Sequence, residues 1–389
     1  MTVLRHEVVV IGAGPAGSHT AKRLAECGHD VLLMDAGREP AENVACSGIV
    51  GCEAFEILDL PATSVVDTVS QARFFSPSKE EVLYQPPQPM ARVVDRRIFD
   101  GALAERAENA GAVLMRDCKA LSLERTPGGI KLAVRNGGPG SVEARAVVLA
   151  TGHRRTLHGE AGLGSHPGHT AGIGAELPFA DLDSAELYFG NGVAPGFFAW
   201  AVPAGPGRAR LGVLAAADAR ALFTKFLRSE EIRPRLRVSD WQEALAMAKG
   251  RGLGQGVVDP SYGDRVLGVG EAVGQIKTTT LGGIYYGLLG AEIAAEVLSD
   301  GLKEDRLQAP HLARYQKAWT RRLGDEIEAG LEVQRLAQEM SDAEINTLFE
   351  SLNNGMAQAV KQVVKFDWHR PALKVIMKKA LRRVVDRAI

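Results

Sequence analysis

The sequence predicts an α/β fold in which a discontinuous parallel-sheet domain is interleaved with a β-rich domain and followed by a helical C-terminal region. Three observations support this prediction. The N-terminus reads as strand, glycine turn, helix and strand. Two further strands, each running into a glycine turn, lie far along the chain, and helical patterns dominate beyond residue 301. A chain of 389 residues is long enough for two connected domains.

The N-terminal segment has the pattern of a dinucleotide-binding turn. Residues 8–11 form a short β-branched run, as a buried parallel strand requires. Gly12, Gly14 and Gly17 follow with G-x-G-x-x-G spacing. The first glycine permits a tight turn, the second lets a pyrophosphate approach the backbone, and the third lets the helix pack on the strand. Gly28 is expected to end that helix.

The second strand, residues 31–34, leads directly into an acidic residue. Asp35 lies 18 residues after Gly17, close to the spacing of a carboxylate that binds a ribose hydroxyl. Because the strand, turn, helix, strand and acid all occur in order, we predict that this segment binds an adenine dinucleotide.

Later segments predict that this domain is interrupted. Residues 146–149 and residues 266–269 read as buried strands, and each leads into a glycine turn. Residues 250–256, GRGLGQG, are predicted to form an ordinary loop, because no helix pattern follows them.

The segment GEAVGQIKTTTLGGIYYG, residues 270–287, places glycines and threonines before a helix. Gly282 and Gly283 open an apolar stretch, residues 284–298, and the free N–H groups of a helix start suit an electron-rich ligand atom. Two interpretations stay open. The glycines leave room for a ligand, or they permit a tight packing contact between helix and sheet.

Composition and charge exclude several classes of protein. The chain is 46% hydrophobic with a net charge of −1, so it is unlike a disordered protein and has no overall field for nucleic acid. No cysteine or histidine spacing is typical of a metal site, and we predict none. The chain begins in a strand and has no apolar run of transmembrane length, so we expect a cytoplasmic protein.

Four separated stretches carry a family resemblance. They are the GAGPAG turn with Asp35, VVDRRIFDGALAERA, GFFAWAVPAGPGRARLGV, and GEAVGQIKTTTLGGIYYGLLGAEIAAEVL. Together they resemble the geranylgeranyl reductase family, flavoproteins with the p-hydroxybenzoate hydroxylase fold. The resemblance implies a Rossmann-type FAD-binding domain. It also implies a reductase that saturates C=C bonds of prenyl chains in isoprenoid lipids or their precursors.

The resemblance also assigns roles to residues. Those implied to bind FAD are Gly12, Gly14, Ala16, Gly17, Asp35, Ala36, Cys46, Ser47, Gly48, Arg96, Ala120, Gly270, Glu271, Gly282, Gly283 and Ile284. Those implied to contact the substrate are Phe198, Trp200 and Tyr286. A reduced flavin gains negative charge at N1 and the C2 carbonyl, which the N–H groups at 282–284 could stabilise.

Three positions depart from the family pattern. Glu271 stands where the family has Asp, and a longer carboxylate can still accept the hydrogen bond from the flavin ribityl chain. Thr278 replaces a proline, and Leu281 replaces a glycine. We expect Leu281 to crowd the flavin or cover a ring face, which would alter substrate access.

Cys46 has two open interpretations. It lies in NVACSGIVG, where the family carries a Cys-x-Gly pattern. As a thiol it could steer the alkene or assist protonation after hydride transfer, which makes it the candidate catalytic residue. Alternatively it packs as a small hydrophobe, which is the role predicted for Cys27, Cys52 and Cys118.

A second function stays open, a flavin-dependent monooxygenase or halogenase of the same fold. Its support is that F-x-W-x-V-P resembles the halogenase signature Trp-x-Trp-x-Ile-Pro. A halogenase also needs a lysine between flavin and substrate, and the chain has none between Cys46 and Lys79. The expected substrate of a reductase is a prenyl lipid or prenyl diphosphate, and the electron donor is NAD(P)H or a ferredoxin-type carrier.

The predicted FAD-binding domain comprises residues 1–60, 92–152 and 262–300, and the substrate domain comprises residues 61–91 and 153–261. Residues 301–389 form the predicted helical C-terminal region. Within it, Ser341 and Glu344 have the pattern of a capping box, and Asn354-Gly355 is expected to stop a helix.

The end of the chain is basic, because residues 361–389 hold nine Lys and Arg against two Asp. Apolar residues recur at helical spacing, with basic residues between them and Trp368 before them. The apolar set is Leu373, Ile376, Met377, Ala380, Leu381, Val384 and Val385; the basic set is Lys374, Lys378, Lys379, Arg382, Arg383 and Arg387. Residues 368–389 are therefore predicted to lie on the inner face of an anionic membrane, or to pack on the protein's own core or another subunit.

Overall fold

The structure, a computed structural model, describes residues 3–42, 44–135 and 140–378. Its strands are β1 (Val3–Ile11), β2 (Val31–Met34), β3 (Ile49–Gly51), β4 (Val65–Val69), β5 (Ala72–Phe75), β6 (Glu81–Tyr84), β7 (Ala91–Val94), β8 (Val113–Met115), β9 (Lys119–Thr126), β10 (Gly129–Arg135), β11 (Ser141–Leu149), β12 (Gly168–Pro178), β13 (Ala185–Tyr188), β14 (Ala199–Pro203), β15 (Arg208–Ala215), β16 (Lys249–Gln255), β17 (Tyr262–Gly263) and β18 (Val266–Gly268).

The helices follow the same chain-order numbering. They are α1 (Pro15–Glu26), α2 (Cys52–Leu58), α3 (Arg96–Asn109), α4 (His158–Ala161), α5 (Ala219–Leu227), α6 (Trp241–Ala246), α7 (Ile284–Lys303), α8 (Ala309–Glu339), α9 (Asp342–Ser351) and α10 (Ala357–Lys361). Short 3₁₀ turns occupy Ala62–Ser64, Arg233–Arg235 and Gly270–Val273, and Leu352–Met356 is a π-helical turn. Residues 370–378 are helical.

The chain divides into two compact units. The first unit is Met1–Glu42, Arg96–Gly168 and Gly254–Ile327; the second unit is Asn43–Asp95, His169–Leu253 and Glu328–Ile389. Residues 43–60 and 92–95, predicted in the FAD-binding domain, therefore group with the second unit, because β3 pairs with β7 there. Residues 301–389 are shared between the units and form no third one. The functional boundaries of the two domains stay a prediction.

The first unit contains the predicted parallel sheet. Its strand order is β17-β18-β11-β1-β2-β8, with β10 and β9 continuing antiparallel from β11. Val8 of β1 pairs in parallel with Ala146 of β11 and Val31 of β2. The β-branched and apolar residues of these strands are buried, as expected of a parallel sheet covered on both faces. The α/β fold class is confirmed, and α1 ends just before Gly28, as predicted.

The second unit is rich in antiparallel strands. One sheet has the order β16-β12-β15-β14-β13-β5-β6, and a smaller sheet has the order β3-β7-β4. The prediction of a loop over residues 250–256 is wrong, because most of that segment is strand β16. Its glycines permit close packing instead: a Cβ added at Gly254 would lie 2.5 Å from the His166 ring.

The C-terminal helices begin and end close to the predicted residues. Ser341 caps α9 with the predicted capping box to Glu344, and the helical φ/ψ pattern is interrupted at Asn354 and Gly355. Within residues 3–42, 44–135 and 140–378, no helix combines the length and the apolar character needed to cross a bilayer.

The basic C-terminal segment is described only as far as residue 378. Residues 379–389, which carry four of the seven predicted apolar residues and four of the six basic ones, lie outside the described residues. In the described part, the Trp368 indole N–H donates to Glu53 at 2.8 Å and Ala372 is buried. These contacts favour the alternative in which this stretch packs on the protein's own core.

Candidate functional site

The turn between β1 and α1 contains three glycines, and packing requires two of them but not the third. A Cβ added at Gly12 would overlap the carbonyl oxygen of Ala150, and one added at Gly17 would overlap that of Gly12. Gly14 differs, because an added Cβ would have no protein atom within 4 Å and its φ of −73° suits any residue. Neither packing nor backbone geometry requires a glycine there, and the space beside Gly14 is open to a ligand.

Asp35 joins the end of β2 to this turn. Its carboxylate accepts hydrogen bonds from the N–H groups of Ala13 and Gly37, both at 2.7 Å. Each carboxylate oxygen has lone pairs left over, so it can still accept from the hydroxyls of a ribose. Ala36, beside it, is exposed, whereas the side chain of Ala120 lies in the hydrophobic core.

Two later segments of the first unit meet the glycine turn at Ala16. A Cβ added at Gly270 would lie 3.0 Å from the Ala16 Cβ, and one added at Gly287, in the first turn of α7, would lie 3.3 Å away. The structure thus brings together the glycine turn, the Gly270–Glu271 turn and the start of α7, as predicted from three separate stretches. No side chain caps α7 at Gly283, so its first N–H groups point outward from the helix end.

The structure revises the reason for the glycine pair before α7. A Cβ added at Gly283 would lie 2.7 Å from Ile276 Cγ2, and one added at Gly282 would lie 3.2 Å from Lys277 Cε. Packing therefore accounts for Gly283, which was the second interpretation of this segment. Leu281, where the family has glycine, has a φ of +55°, a strained value for a branched residue.

Lys277 is a residue that sequence reasoning missed. Its side chain is 8% exposed and folds over Gly282, directly before α7. Its backbone N–H donates to the Gly282 carbonyl at 3.0 Å, which closes the turn. A cation held beside a helix start strengthens the positive potential there. Three polar threonines and no charge pattern surround Lys277 in the sequence, so no local signal marked it.

The guanidinium of Arg96 pairs with an acidic side chain one turn further along α3. Its Nε and Nη2 atoms donate to the two carboxylate oxygens of Asp100, each at 2.8 Å, and Asp100 is buried. This forked pair fixes the guanidinium against the helix. The i,i+4 spacing in VDRRIFD is the signal that could have identified Asp100. Whether Arg96 also contacts a flavin stays a prediction.

The predicted substrate residues divide between the units. Tyr286, in the first turn of α7, is 1% exposed, and its contact with a substrate stays a prediction. In the second unit, Phe198 and Trp200 belong to a row of rings in contact, with neighbouring centroids 5.9–6.5 Å apart: Phe74, Phe189, Phe198, Trp200 and Phe349. Trp200 lies where a Cβ at Gly212 would stand. Phe74, Phe189 and Phe349 were missed, because no spacing links them.

The segment from Cys46 to Gly48 forms a constrained turn in the second unit. The Gly48 N–H donates to the Cys46 sulfur at 3.3 Å, and the Gly48 carbonyl accepts from the Val94 N–H at 2.9 Å. Gly48 has a φ of +73°, and an added Cβ would overlap Nη1 of Arg210. Cys46 is exposed, in contrast to Cys118, whose burial raises the pKa of its thiol.

A charged cluster ties α1 to α7 behind the glycine turn. The Glu292 carboxylate contacts His19 Nε2 at 2.5 Å and Arg23 Nε at 3.0 Å. These partners, His19 first, lower the pKa of Glu292 from its ordinary value of 4.5. In the described part of the chain, His, Cys, Asp and Glu side chains form no group of three that could hold a metal ion.

The first-unit geometry fits an adenine dinucleotide such as FAD. The open face at Gly14 admits a pyrophosphate, Asp35 can bind ribose, and the start of α7 offers N–H groups to an anionic ring edge. The pyridine nucleotide-disulphide oxidoreductase family matches residues 6–171, the part that holds the glycine turn and Asp35. This match supports a flavoprotein that uses FAD.

Comparison with curated proteins decides the family. Digeranylgeranylglycerophospholipid reductase of Methanothrix thermoacetophila is 30% identical over 90% of this chain and 92% of that protein. The chain belongs to the geranylgeranyl reductase family. A second relative of the same description, from Methanocaldococcus jannaschii, is also 30% identical, over 90% of this chain and 91% of that protein.

Solved structures support the fold of this geranylgeranyl reductase family member. A geranylgeranyl bacteriochlorophyll reductase-like protein from Thermoplasma acidophilum covers 99% of this chain and all of its own, with a TM-score of 0.86 and 20% identity. A flavin-dependent brominase has a TM-score of 0.70 at 17% identity over 97% of this chain and all of its own. At these identities the likeness concerns the fold alone.

Proposed function

We propose that this protein is an FAD-dependent reductase that saturates C=C bonds of prenyl chains in isoprenoid lipids or their precursors. The observation that carries the proposal is the 30% identity, along 90% of the chain, to a digeranylgeranylglycerophospholipid reductase. The open space at Gly14 and the Asp35 carboxylate support it independently, because they provide the groups that a dinucleotide needs.

When bound in its reduced form, FAD would supply a hydride to one carbon of the alkene. The chain's own residues hold it: the backbone at Gly14 binds the pyrophosphate, and Asp35 binds ribose. The uncapped N–H groups at the start of α7, reinforced by the Lys277 cation, stabilise negative charge on the ring. Glu271, one methylene longer than the family aspartate, accepts a hydrogen bond from the ribityl chain.

Cys46 completes the reduction with a proton. The π electrons of the alkene form the second C–H bond as the S–H bond breaks, and the thiolate that remains takes a proton from water. An exposed thiol, held by the Gly48 N–H, suits this role because an N–H donor stabilises the sulfur after it loses its proton.

The ring row of the second unit supplies an apolar surface for a prenyl chain. Phe198 and Trp200 contact the hydrocarbon, and Phe189 extends the surface between Phe198 and Phe349. Aromatic rings bury large apolar areas and lose few rotamers on binding, so a row of them suits a long unsaturated chain. Tyr286, which belongs to α7 of the first unit, is retained as a proposed substrate residue.

Anaerobic reduction of the bound flavin, followed by addition of a geranylgeranyl lipid, tests the proposal. Reoxidation of the flavin with a product two mass units heavier is the expected result. Cys46→Ala should keep the flavin but slow reoxidation by about 100-fold or more, the usual scale for losing a general acid. Cys27→Ala, which removes another exposed thiol, is the matched control and should react like wild type. Equal rates in both variants would return Cys46 to a packing role.

Halogenation is the alternative that the same assay decides. The first lysine after Cys46, Lys79, is committed to ion pairs with Glu230 at 3.1 Å and Glu231 at 2.9 Å. This placement disfavours the required lysine between flavin and substrate. Bromide or chloride incorporation under oxygen, without alkene reduction, would favour the alternative over the reductase.

Membrane contact is proposed for the basic residues within 368–389, in a cytoplasmic protein acting at the inner membrane face. Lys374 and Lys378 are exposed, and basic residues near an anionic surface contribute about 1 kcal/mol each. Because Trp368 donates to Glu53, we exclude its ring from the contact. Vesicle binding should rise with anionic lipid and vanish on deletion of residues 371–389. NAD(P)H and a ferredoxin-type carrier are both retained as proposed electron donors.

A further inference from the structure

The peptide group between Ser47 and Gly48, in the second unit, is hydrogen-bonded through both its carbonyl and its N–H. The carbonyl of Ser47 accepts from Nη1 of Arg210 at 2.9 Å. The N–H of the same peptide, which belongs to Gly48, donates to the Cys46 sulfur at 3.3 Å. A planar trans peptide directs its C=O and N–H to opposite sides, so the guanidinium and the sulfur lie at the two ends of one dipole.

Arg210 is held firmly in that position. It is 9% exposed, and Nη1 also donates to the Val94 carbonyl at 2.9 Å. Its Nε donates to Glu176 at 3.0 Å, on the neighbouring strand β12. The adjacent Arg208 binds the same carboxylate at 2.8 Å but is exposed and provides a natural comparison. Burying a cation costs free energy unless hydrogen bonds and an opposite charge compensate it. For Arg210 these are the two carbonyls and the Glu176 carboxylate.

We propose that Arg210 is a positioning residue for Cys46, acting through the Ser47–Gly48 peptide. The guanidinium fixes the orientation of this peptide and polarises it, which strengthens the Gly48 N–H as a donor to sulfur. A stronger donor stabilises the thiolate, so the thiol gives up its proton more readily. The inference rests on the proposed function of Cys46, since only an acting thiol gains from this arrangement.

Gly48 is required by the same arrangement of Arg210, the Ser47–Gly48 peptide and Cys46. Its φ of +73° is a left-handed value that favours glycine, and the absence of a Cβ leaves the space that Nη1 of Arg210 occupies. A side chain at residue 48 would remove both the turn and the cation. The Cys-x-Gly pattern and Arg210 therefore depend on one another across 163 residues of chain.

Alkylation of Cys46 by iodoacetamide tests the proposal without any prenyl substrate. The thiolate is the species that reacts, so the rate at pH 7 reports its stabilisation. The flavin-loaded protein is treated, and the Cys46 peptide is followed by mass spectrometry. Exposed Cys27 is the internal reference. Arg210→Gln should slow Cys46 about tenfold, Arg210→Lys should fall between, and Arg208→Gln should match wild type.

The outcomes separate positioning from mere folding. Slower alkylation of Cys46, with Cys27 and flavin content unchanged and kcat lowered at constant KM, supports the proposal. Wild-type or faster alkylation in Arg210→Gln overturns it, because a clamp that only closes the turn would expose the thiol when removed. If Arg210→Gln does not fold, Arg210→Lys decides: an intermediate rate supports the proposal, and a wild-type rate overturns it.

The proposed function can fail independently. If Arg210→Gln slows alkylation but Cys46→Ala keeps full turnover, the Arg210 arrangement is upheld and the catalytic role of Cys46 is overturned. If Cys46→Ala loses turnover but alkylation is insensitive to Arg210, the reverse holds.

Discussion

Two turns, one in each unit, hold their backbones in different ways. The turn at residues 12–17 is tied to Asp35, which follows the very next strand and accepts from the Ala13 N–H. The turn at residues 46–48 is tied to Arg210, a residue of strand β15 far along the chain. The first turn keeps its partner within one strand–helix–strand motif, whereas the second obtains its partner from another part of the fold.

The glycines of the two turns differ in whether folding requires them. At Gly12 and Gly48 a side chain would collide with protein atoms, so folding alone demands glycine. At Gly14 a side chain would meet open space, so folding does not require glycine there. A glycine that the fold does not need is the better pointer to a ligand than one that it does.

The largest expected effect separates these two kinds of glycine. Gly14→Val should abolish FAD binding, because the side chain fills the space of the pyrophosphate, while the thermal midpoint of the flavin-free protein stays near wild type. Gly12→Val is the contrasting variant and should fail to fold, since it overlaps Ala150 at a φ of +112°. Flavin content and unfolding curves measure both. Full flavin occupancy in Gly14→Val would place the cofactor elsewhere.

Gly48→Ala probes the second turn. The change combines a φ of +73° with overlap on Arg210, so we expect a loss of about 2–4 kcal/mol in the free energy of unfolding. Gly207→Ala is the matched control, with a φ of +66° and no atom within 4 Å of an added Cβ. It should lose only the backbone term, about 1 kcal/mol. Equal losses in urea unfolding would show that the Arg210 contact contributes nothing.

Asp35→Ala tests whether the acidic residue tied to the first turn contributes to FAD binding. Loss of the charge-assisted hydrogen bonds should weaken FAD binding by about 1–3 kcal/mol. Asp35→Asn keeps one acceptor for the Ala13 N–H and should lose less. Titration of flavin-free protein with FAD measures the difference, and wild-type affinity in both variants would argue that Asp35 serves the turn rather than the ribose.

The smallest expected effect is a pH dependence of the first unit. Since the folded protein lowers the pKa of Glu292 below 4.5, its contribution is present above that value and is lost as pH falls through the lower folded pKa. We expect about 1 kcal/mol, because the carboxylate is partly exposed and screened. Glu292→Gln should remove this acid-side slope from thermal midpoints below pH 4.5. A persisting slope would assign it to other carboxylates.

Much of the secondary structure in both units could be predicted from local pattern. Strand 31–34, the end of α1 before Gly28 and the capping box at Ser341 all occur where the sequence placed them. Each depends on φ preferences or side-chain spacing within a few residues. The resemblance also brought Gly270 and the start of α7 to the glycine turn, because a motif with several parts keeps its parts together.

The misses involve partners that local pattern does not contain. Residues 250–256 are predicted to form a loop because no helix pattern follows them, yet most of them belong to strand β16, with the His166 ring beside Gly254. Gly283 makes room for Ile276, a neighbour that no local pattern marks. In each case the neighbour that decides the role is chosen by packing.

Spacing and the backbone preferences of adjacent residues were enough to predict the glycine turn with its acid, the fold class and the resemblance to the family. Only the tertiary structure decided that Arg210 grips the Cys46 turn, that Arg96 is paired with Asp100, and which glycines leave space for a ligand. The physical reason is range: backbone conformation is set over a few residues, whereas a buried charge finds its partner wherever the folded chain brings one within hydrogen-bond distance.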